Sequence, residues 1–166
     1  EIDKERLCEI YNHFELRSLL EYLDDEIEKK SSAKKIILIK KYETILTWKA
    51  FEHWMEKINQ SKLTAFDTET TDIYYMDAKI VGLSLSVSSN EAAYIPLAHD
   101  YPGVPKQLPL DEVLGKIRNW LEDEKKKKVG HHLKYDAHIL ERYGIKLAGM
   151  QFDSMLESYV LNSIAT

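Results

Sequence analysis

The 166 residues are enough for one domain with an appendage, 44% of them are hydrophobic, and no stretch approaches the roughly 20 consecutive apolar residues that a membrane span requires. The formal net charge of −5 falls in residues 1–30, which carry ten Asp/Glu and five Lys/Arg, because the remaining residues carry eighteen of each. This split predicts two units with different roles and argues against a strongly basic nucleic-acid surface in either of them.

The acidic first segment has the pattern of a helix. Apolar residues recur at steps of three or four between residues 3 and 29, so a helical appendage is expected over residues 1–30. The polar run at 31–35 predicts a short linker. Cys8 is the only cysteine of the chain, which rules out a disulfide within it and favours a reducing cytoplasm.

Residues 36–166 alternate between strand and helix periods, which predicts an α/β fold. Three successive strands are followed by alternating helix and strand, so the expected architecture is a mixed β-sheet flanked by helices. Thr47 and Asp153 can cap the starts of helices, and Gly144 stands where a helix is expected to end. The predicted strands are 36–39, 63–70, 79–87, 92–97 and 128–130, and the predicted helices are 47–59, 109–123, 133–143 and 154–163.

Two carboxylates stand near the end of the strand predicted at 63–70. Asp67 and Glu69 are two residues apart, so in a strand their side chains point to the same face. Two acids on one face repel each other unless a cation lies between them, and Mg²⁺ prefers oxygen ligands of this kind. Taken alone, so short a pattern favours a strand that runs out into solvent at a turn, with a metal site as the alternative.

A third acid, Asp136, falls on the first turns of a helix that follows a buried strand. His132 lies four residues earlier, near the same face of that helix. A helix N-terminus favours an anionic side chain, so Asp136 alone is interpreted as a residue that stabilises the helix dipole. An acid pair on one strand together with a third acid after another strand shifts the interpretation towards a metal-dependent site.

Other polar and aromatic residues have structural interpretations. Asp153 is expected to cap the final helix, and the loop at His99 is expected to be held by hydrogen bonds. The run from Lys125 to Lys128 is predicted to be solvated, with a phosphate-binding patch as the alternative. The tryptophans stand at helical core spacing and are expected to be buried rather than to stack on bases; they are Trp48, Trp54 and Trp120.

Six short segments follow one another along the chain. Together they indicate a protein family far more specifically than any one of them does. They contain the three acids together with small, aromatic and proline residues at set positions. The segments are Ala65-Phe66-Asp67-Thr68-Glu69-Thr70, Val81-Gly82-Leu83-Ser84, Ala93-Tyr94-Ile95-Pro96, Ala98-His99-Asp100-Tyr101, Leu133-Lys134-Tyr135-Asp136 and Phe152-Asp153-Ser154-Met155-Leu156-Glu157-Ser158-Tyr159.

In order and near-spelling these segments resemble the proofreading domain of bacterial DNA polymerase I, which belongs to the DEDD superfamily of 3′→5′ exonucleases. The resemblance spans about residues 36–166 and implies a ribonuclease-H-like fold, while residues 1–30 resemble the closing helices of the preceding 5′-nuclease domain. The partners that it implies are a single-stranded 3′ end of DNA and a polymerase domain in the same chain. It also implies a cytoplasmic, nucleoid-associated location without a membrane.

The same resemblance implies a two-metal site. Two Mg²⁺ ions, which Mn²⁺ or Zn²⁺ can replace, would drive hydrolysis of the terminal phosphodiester. In the family's pattern Asp67 would bridge both ions, Glu69 would hold the ion that activates water, and Asp136 would help position the ion near the leaving group.

Three further residues match positions that contact the DNA strand in this family. They are Thr68, Ile73 and His132. Ile73 matches the apolar residue that wedges against the terminal bases. His132 stands where the family commonly has an asparagine, so an imidazole donor replaces the amide geometry.

The chain also departs from the family by an absence. The family's third motif has a tyrosine and, four residues later, the last metal-binding aspartate, and the chain ends at Thr166 before that motif. Tyr135 is not that tyrosine, because it directly precedes Asp136 in the second motif. The 166-residue fragment is therefore expected to be poorly active or inactive.

Two alternatives remain at the level of the sequence. One is a non-catalytic structural or DNA-binding module of the polymerase, against which the retained acids Asp67, Glu69 and Asp136 argue. The other is an exoribonuclease of the same superfamily. The acids alone do not separate DNA from RNA, because nothing recognisable in the sequence reads the 2′ position of the sugar.

Overall fold

The computed structural model describes residues 4–13 and 40–163. The chain divides into two compact units, Glu1–Leu38 and Ile39–Thr166. Helix α1, Lys4–His13, belongs to the first unit and falls within the helix predicted at 3–29. The remainder of that prediction, the linker at 31–35 and the strand at 36–39 lie outside the described residues. No described helix combines the length and apolar character needed to cross a membrane.

The second unit is built on a six-stranded mixed sheet, as the strand and helix periods predict. Its strands lie side by side in the order β1-β4-β3-β2-β5-β6. The central strands β2, β3 and β4 are antiparallel neighbours, whereas the pairs β1/β4, β2/β5 and β5/β6 are parallel. The strands are β1 Lys41–Thr44, β2 Thr64–Thr70, β3 Ile80–Ser88, β4 Glu91–Pro96, β5 Lys128–Gly130 and β6 Met150–Asp153.

Three helices connect these strands and a fourth follows the last strand, and each of the four lies within two residues of a predicted helix at both ends. Thr47 caps the first of them through its hydroxyl, which accepts a hydrogen bond from the amide of Ala50 at 3.3 Å. Gly144 follows the helix that ends at Arg142 and has a φ of 69°, a conformation that glycine adopts without strain. The helices are α2 Trp48–Gln60, α3 Leu110–Leu121, α4 Leu133–Arg142 and α5 Ser154–Leu161.

Helices α2, α3 and α4 bury one face of the sheet. Phe66 of β2 packs against Trp120 of α3, with ring centroids 6.2 Å apart, and the Trp120 indole donates to the carbonyl of Ile58. Trp54 and Trp120 are buried, which confirms the structural interpretation for these two, whereas Trp48 is half-buried and packs at the edge of the core. Buried apolar side chains that share this core include Phe51, Leu83, Ile95, Val113, Ile117, Leu133, Ile139 and Leu140.

The opposite face of the sheet carries small and polar side chains. Ala65 is exposed, and Ser84 and Ser86 are half-buried, although all three lie on central strands. Part of this face forms a broad depression of about 730 Å³ that reaches from β1 to β5. We call this surface the open face, and it is the face on which Asp67 and Glu69 lie.

Two strands, β1 and β6, were not expected from the sequence. Both lie at the edges of the sheet, all four residues of β1 are exposed, and β6 has no buried residue. An edge strand with little buried surface needs no alternation of apolar and polar residues. The periodicity that identifies the inner strands is therefore absent from both.

Lys128 corrects the expectation of a solvated run from Lys125 to Lys128. It is fully buried, because its pairing with Thr64 places its side chain on the face that the helices cover. The ammonium donates to the carbonyls of Lys126 at 2.8 Å and Asp123 at 3.4 Å. It also lies 4.4 Å from the centre of a neighbouring tryptophan ring, which adds a cation–π attraction. Burial lowers the pKa of Lys128 to about 8.

This buried lysine should make stability depend on pH. Its folded-state pKa of about 8 is below the ordinary 10.5, so the unfolded chain holds more protons between these values and stability should rise with pH across that window. Thermal unfolding from pH 7.5 to 10.5 should show this rise for the wild type relative to Lys128→Met. An exposed lysine nearby provides the control, since Lys125→Met should leave the slope unchanged. Parallel curves for wild type and Lys128→Met would contradict the assignment.

Candidate active site

The acid pair lies where β2 projects beyond its parallel neighbour. Strand β5 pairs with β2 only at Thr64 and Ala65, whereas β3 pairs with it up to Thr70. Asp67 is half-buried and Glu69 is exposed, and both point to the open face, as the period of a strand predicts. Thr68 between them points to the opposite face and is buried.

Asp136 meets β2 at the edge that β5 leaves unpaired. It is buried on the first turn of α4, and its Oδ1 accepts hydrogen bonds from the Thr68 amide at 2.8 Å and the Thr68 hydroxyl at 2.6 Å. Asp136 therefore ties the start of α4 to β2, in addition to placing an anionic side chain at the helix N-terminus. Both bonds use Oδ1, so neither Thr68 donor occupies Oδ2.

Asp67 interacts electrostatically with each of the other two carboxylates. Burial raises the pKa of Asp136 to about 6, the Thr68 hydrogen bonds oppose this rise, and the Asp67 charge adds to it. Burial also raises the pKa of Asp67, followed by repulsion from Glu69, while His131 and the Thr68 amide act in the opposite direction. Neighbouring acids with raised pKa values are typical of functional sites, although structural networks produce them as well.

Asp153 fixes the start of α4 as well as the start of α5. As predicted, its carboxylate caps α5 by accepting from the amide of Met155 at 3.0 Å. It also accepts from the amides of His132 at 3.0 Å and Leu133 at 2.8 Å. Although burial acts to raise it, these amide hydrogen bonds hold the pKa of Asp153 below its ordinary value. This second role, which positions the helix that carries Asp136, has no signal in the local sequence.

The candidate DNA-contacting residues line one pocket beside Glu69. This pocket of about 580 Å³ is bounded by residues 68–73, His132 and Tyr135. Ile73 is 81% exposed, so its side chain is free to contact a ligand. His132 has a left-handed φ of 64° and projects an exposed imidazole near the Tyr135 ring. Thr68 also borders the pocket, although its amide and hydroxyl are both engaged by Asp136.

Tyr135 is a structural residue of this pocket that sequence reasoning did not identify as such. Its hydroxyl is 2.7 Å from the hydroxyl of Thr70 and donates to the carbonyl of Asp72 at 2.5 Å. These bonds tie the loop that follows β2 to helix α4. The only signal in the sequence is the position of Tyr135 next to Asp136, which does not reveal its partners.

The donor chemistry of the site fits a divalent cation only in part. Asp67 and Glu69 offer hard carboxylate oxygens on one face, which suits Mg²⁺. Asp136 stands at the strand edge with one oxygen held by Thr68. Within residues 4–13 and 40–163, no group of three or more His, Cys, Asp or Glu side chains is arranged to hold a metal ion. The described carboxylates therefore do not by themselves form such a group.

Comparisons with known proteins agree with this geometry. The family model described as 3′-5′ exonuclease, of the DNA polymerase A type, matches residues 42–165. The DNA polymerase I of Pseudomonas aeruginosa is 50% identical over 127 residues, which cover 75% of this chain and 14% of that protein. The chain thus spans about one seventh of the length of this relative.

Two solved structures share the fold at 15% identity. Trypanosoma brucei RNase D has a TM-score of 0.54 and is matched over 69% of this chain and 38% of its own. Brucella melitensis NrnC with bound Mg²⁺ has a TM-score of 0.50 and is matched over 77% of this chain and 56% of its own. These likenesses support the expected ribonuclease-H-like architecture. With the family match over most of its length, the chain belongs to the 3′-5′ exonuclease family of bacterial DNA polymerase I.

Proposed function

We propose that this chain provides the proofreading 3′→5′ exonuclease of a DNA polymerase I and removes nucleotides from single-stranded or frayed 3′ ends of DNA. The observation that carries this proposal is the group formed by Asp67, Glu69 and Asp136 at the projecting end of β2. A polymerase domain in the same protein would supply the primer end, since the relative at 50% identity is a DNA polymerase I.

In this proposal Asp67, Glu69 and Asp136 hold two Mg²⁺ ions, for which Mn²⁺ or Zn²⁺ can substitute. When bound, such a pair of ions lowers the pKa of a water and stabilises the attacking and leaving oxygens of the phosphodiester. Asp67 is assigned the bridging position because its charge is coupled to both other acids. Thr68 holds Asp136 in place through two hydrogen bonds.

The pocket beside Glu69 is the proposed site of the terminal nucleotides. Ile73 is exposed at its rim and can wedge against an unpaired base, while the His132 imidazole can donate a hydrogen bond to the strand. A paired terminus would have to be unstacked before it could enter, at a cost of a few kcal/mol. We therefore expect a mismatched 3′ end to be removed faster than a paired one.

The proposed function is tested with a panel of substrates carrying a 5′ label. In the longest protein that the reading frame encodes, Mg²⁺ should support release of 3′-terminal nucleotides from single-stranded DNA and from mismatched primers. Correctly paired primers and RNA of the same sequence should be digested more slowly. Preference for RNA would favour an exoribonuclease instead, and absence of digestion from every substrate would favour a non-catalytic module.

The 166-residue chain alone should be a poor nuclease. Its described carboxylates form only part of a metal site, so we expect weak Mg²⁺ binding and slow or undetectable digestion under conditions in which the longer protein is active. Rates per mole of the two proteins, measured on the same single-stranded oligonucleotide, check this expectation. Equal rates would show that the 166 residues contain a complete site.

A further inference from the structure

A tyrosine on the open face lies across a glycine of the neighbouring strand. Tyr94 of β4 is paired with Ser84 of β3, and Gly82 is two residues further along the same face. A Cβ added to Gly82 would overlap the hydroxyl oxygen and the ring of Tyr94. The phenol therefore rests directly on the Gly82 backbone, and only glycine leaves room for it.

This position brings the phenol beside the acid pair. Gly82 stands directly opposite Glu69 in the pairing of β2 with β3. Side chains of directly opposite residues begin about 4.5–5.5 Å apart, so a group that lies on Gly82 lies next to the Glu69 side chain. Burial raises the pKa of Tyr94, and the charge of Glu69 raises it further, which places the two groups within electrostatic range.

The phenol is braced by His99, which follows β4 in the chain. Its oxygen is 2.5 Å from Nε2 of His99. The His99 backbone is fixed in turn, because its amide donates to the side chain of Gln107 at 2.9 Å and its carbonyl accepts from that side chain at 2.7 Å. When the imidazole carries its proton on Nε2, it donates to the phenol oxygen and leaves the phenol O–H free to donate. Glu69 accepts no hydrogen bond from any residue in 4–13 or 40–163.

We propose that Tyr94 is a positioning residue for Glu69. When Glu69 binds metal, the Tyr94 O–H, braced by His99, would donate to the Glu69 carboxylate and so fix the orientation of that carboxylate. The proposal rests on the proposed function, because it assumes that Glu69 is a metal ligand. An exposed glutamate side chain can adopt several rotamers, so a hydrogen bond is needed to select one. Hydrogen-bonding partners that orient metal ligands typically contribute about 10–100-fold in metal affinity or activity.

The decisive variant is Tyr94→Phe, which keeps the ring on Gly82 and removes only the hydroxyl. In the longest protein that the reading frame encodes, it should weaken Mn²⁺ binding about tenfold in an electron paramagnetic resonance titration. The kcat for release from a single-stranded oligonucleotide should fall by a similar factor, while KM should stay unchanged. Gly82→Ala displaces the ring and should have at least the same effect on both quantities.

Two reference variants make the outcome interpretable. Tyr101→Phe removes an exposed phenol whose ring is 6.0 Å from that of His99, and it should leave Mn²⁺ binding and kcat at wild-type values. Glu69→Gln removes the carboxylate itself and therefore shows how much of the Mn²⁺ binding depends on Glu69. If Tyr94→Phe binds Mn²⁺ as tightly as the wild type does while Glu69→Gln loses that binding, the positioning role of Tyr94 is overturned. The proposed function is left intact in that case. Unchanged binding and digestion in Glu69→Gln itself would instead remove the proposed function. Equal losses in Tyr94→Phe and Tyr101→Phe would mean a general effect of the loop and would also overturn the positioning role.

Discussion

Asparagine in place of Asp67 is expected to slow the release of 3′-terminal nucleotides by on the order of 10³-fold, a typical cost of losing one group that stabilises charge in a transition state. Asp67 is the acid whose charge is coupled to both of the others. The amide keeps the shape of the side chain but removes the anionic oxygen proposed to contact both metal ions. Rates on a 5′-labelled single-stranded oligonucleotide at saturating Mg²⁺ check this result.

Folding should survive the same substitution. Asp67 is repelled by Glu69 and Asp136, so its replacement relieves repulsion, and the unfolding temperature in EDTA should be equal to or above that of the wild type. Asp100→Asn, at an exposed loop position, is the matched control and should keep both rate and stability. A rate for Asp67→Asn within tenfold of the wild type would contradict the role assigned to Asp67.

Asp136→Asn is expected to lose activity and gain stability at pH 7. The pKa of Asp136 is raised by burial from 3.8 to about 6, so between these values the folded state holds a proton that the unfolded chain has lost. The stability of the wild type should therefore fall as pH rises from about 4 to 6, and the deficit should persist at pH 7. Two pK units correspond to roughly 2–3 kcal/mol.

The asparagine keeps an oxygen that can accept both Thr68 donors, yet it does not ionise. Denaturant unfolding of the 166-residue chain in EDTA should show a gain of about 2 kcal/mol at pH 7 and none near pH 3.5. Asp77→Asn, at an exposed loop position, should show no such dependence on pH. A loss of stability at pH 7 in Asp136→Asn, where the wild-type carboxylate is ionised, would show that the ionised carboxylate stabilises the fold.

The inner strands and the helices could be predicted because burial imposes a period on them. Strand β2 alternates between buried and accessible residues, and that period places Asp67 and Glu69 on one face without any knowledge of the tertiary structure. Strands β1 and β6 could not be found in this way, since edge strands with exposed side chains lack the period that burial imposes. The burial of Lys128 could not be predicted for a different reason. The pairing of β5 with β2 buries a residue type that is usually solvated.

The contacts that position the acids join residues that are far apart in the sequence, and no local pattern predicts such contacts. Thr68 and Asp136 are 68 residues apart, and they meet only because β5 is too short to cover the end of β2. Similarly, Asp153 reaches back to the amide of His132 across the pairing of β6 with β5. The sequence therefore identifies which acids belong to the site, whereas the structure is needed to see what orients each of them.

The most direct test of the proposed activity is the product pattern from a single-stranded oligonucleotide with a 5′ label. With the longest protein that the reading frame encodes and Mg²⁺, the labelled strand should shorten from its 3′ end in steps of one nucleotide, releasing nucleoside monophosphates. The shortening should stop in EDTA and in Asp67→Asn. Internal cuts, shortening from the 5′ end, or a ladder that persists in EDTA would contradict a metal-dependent 3′→5′ exonuclease.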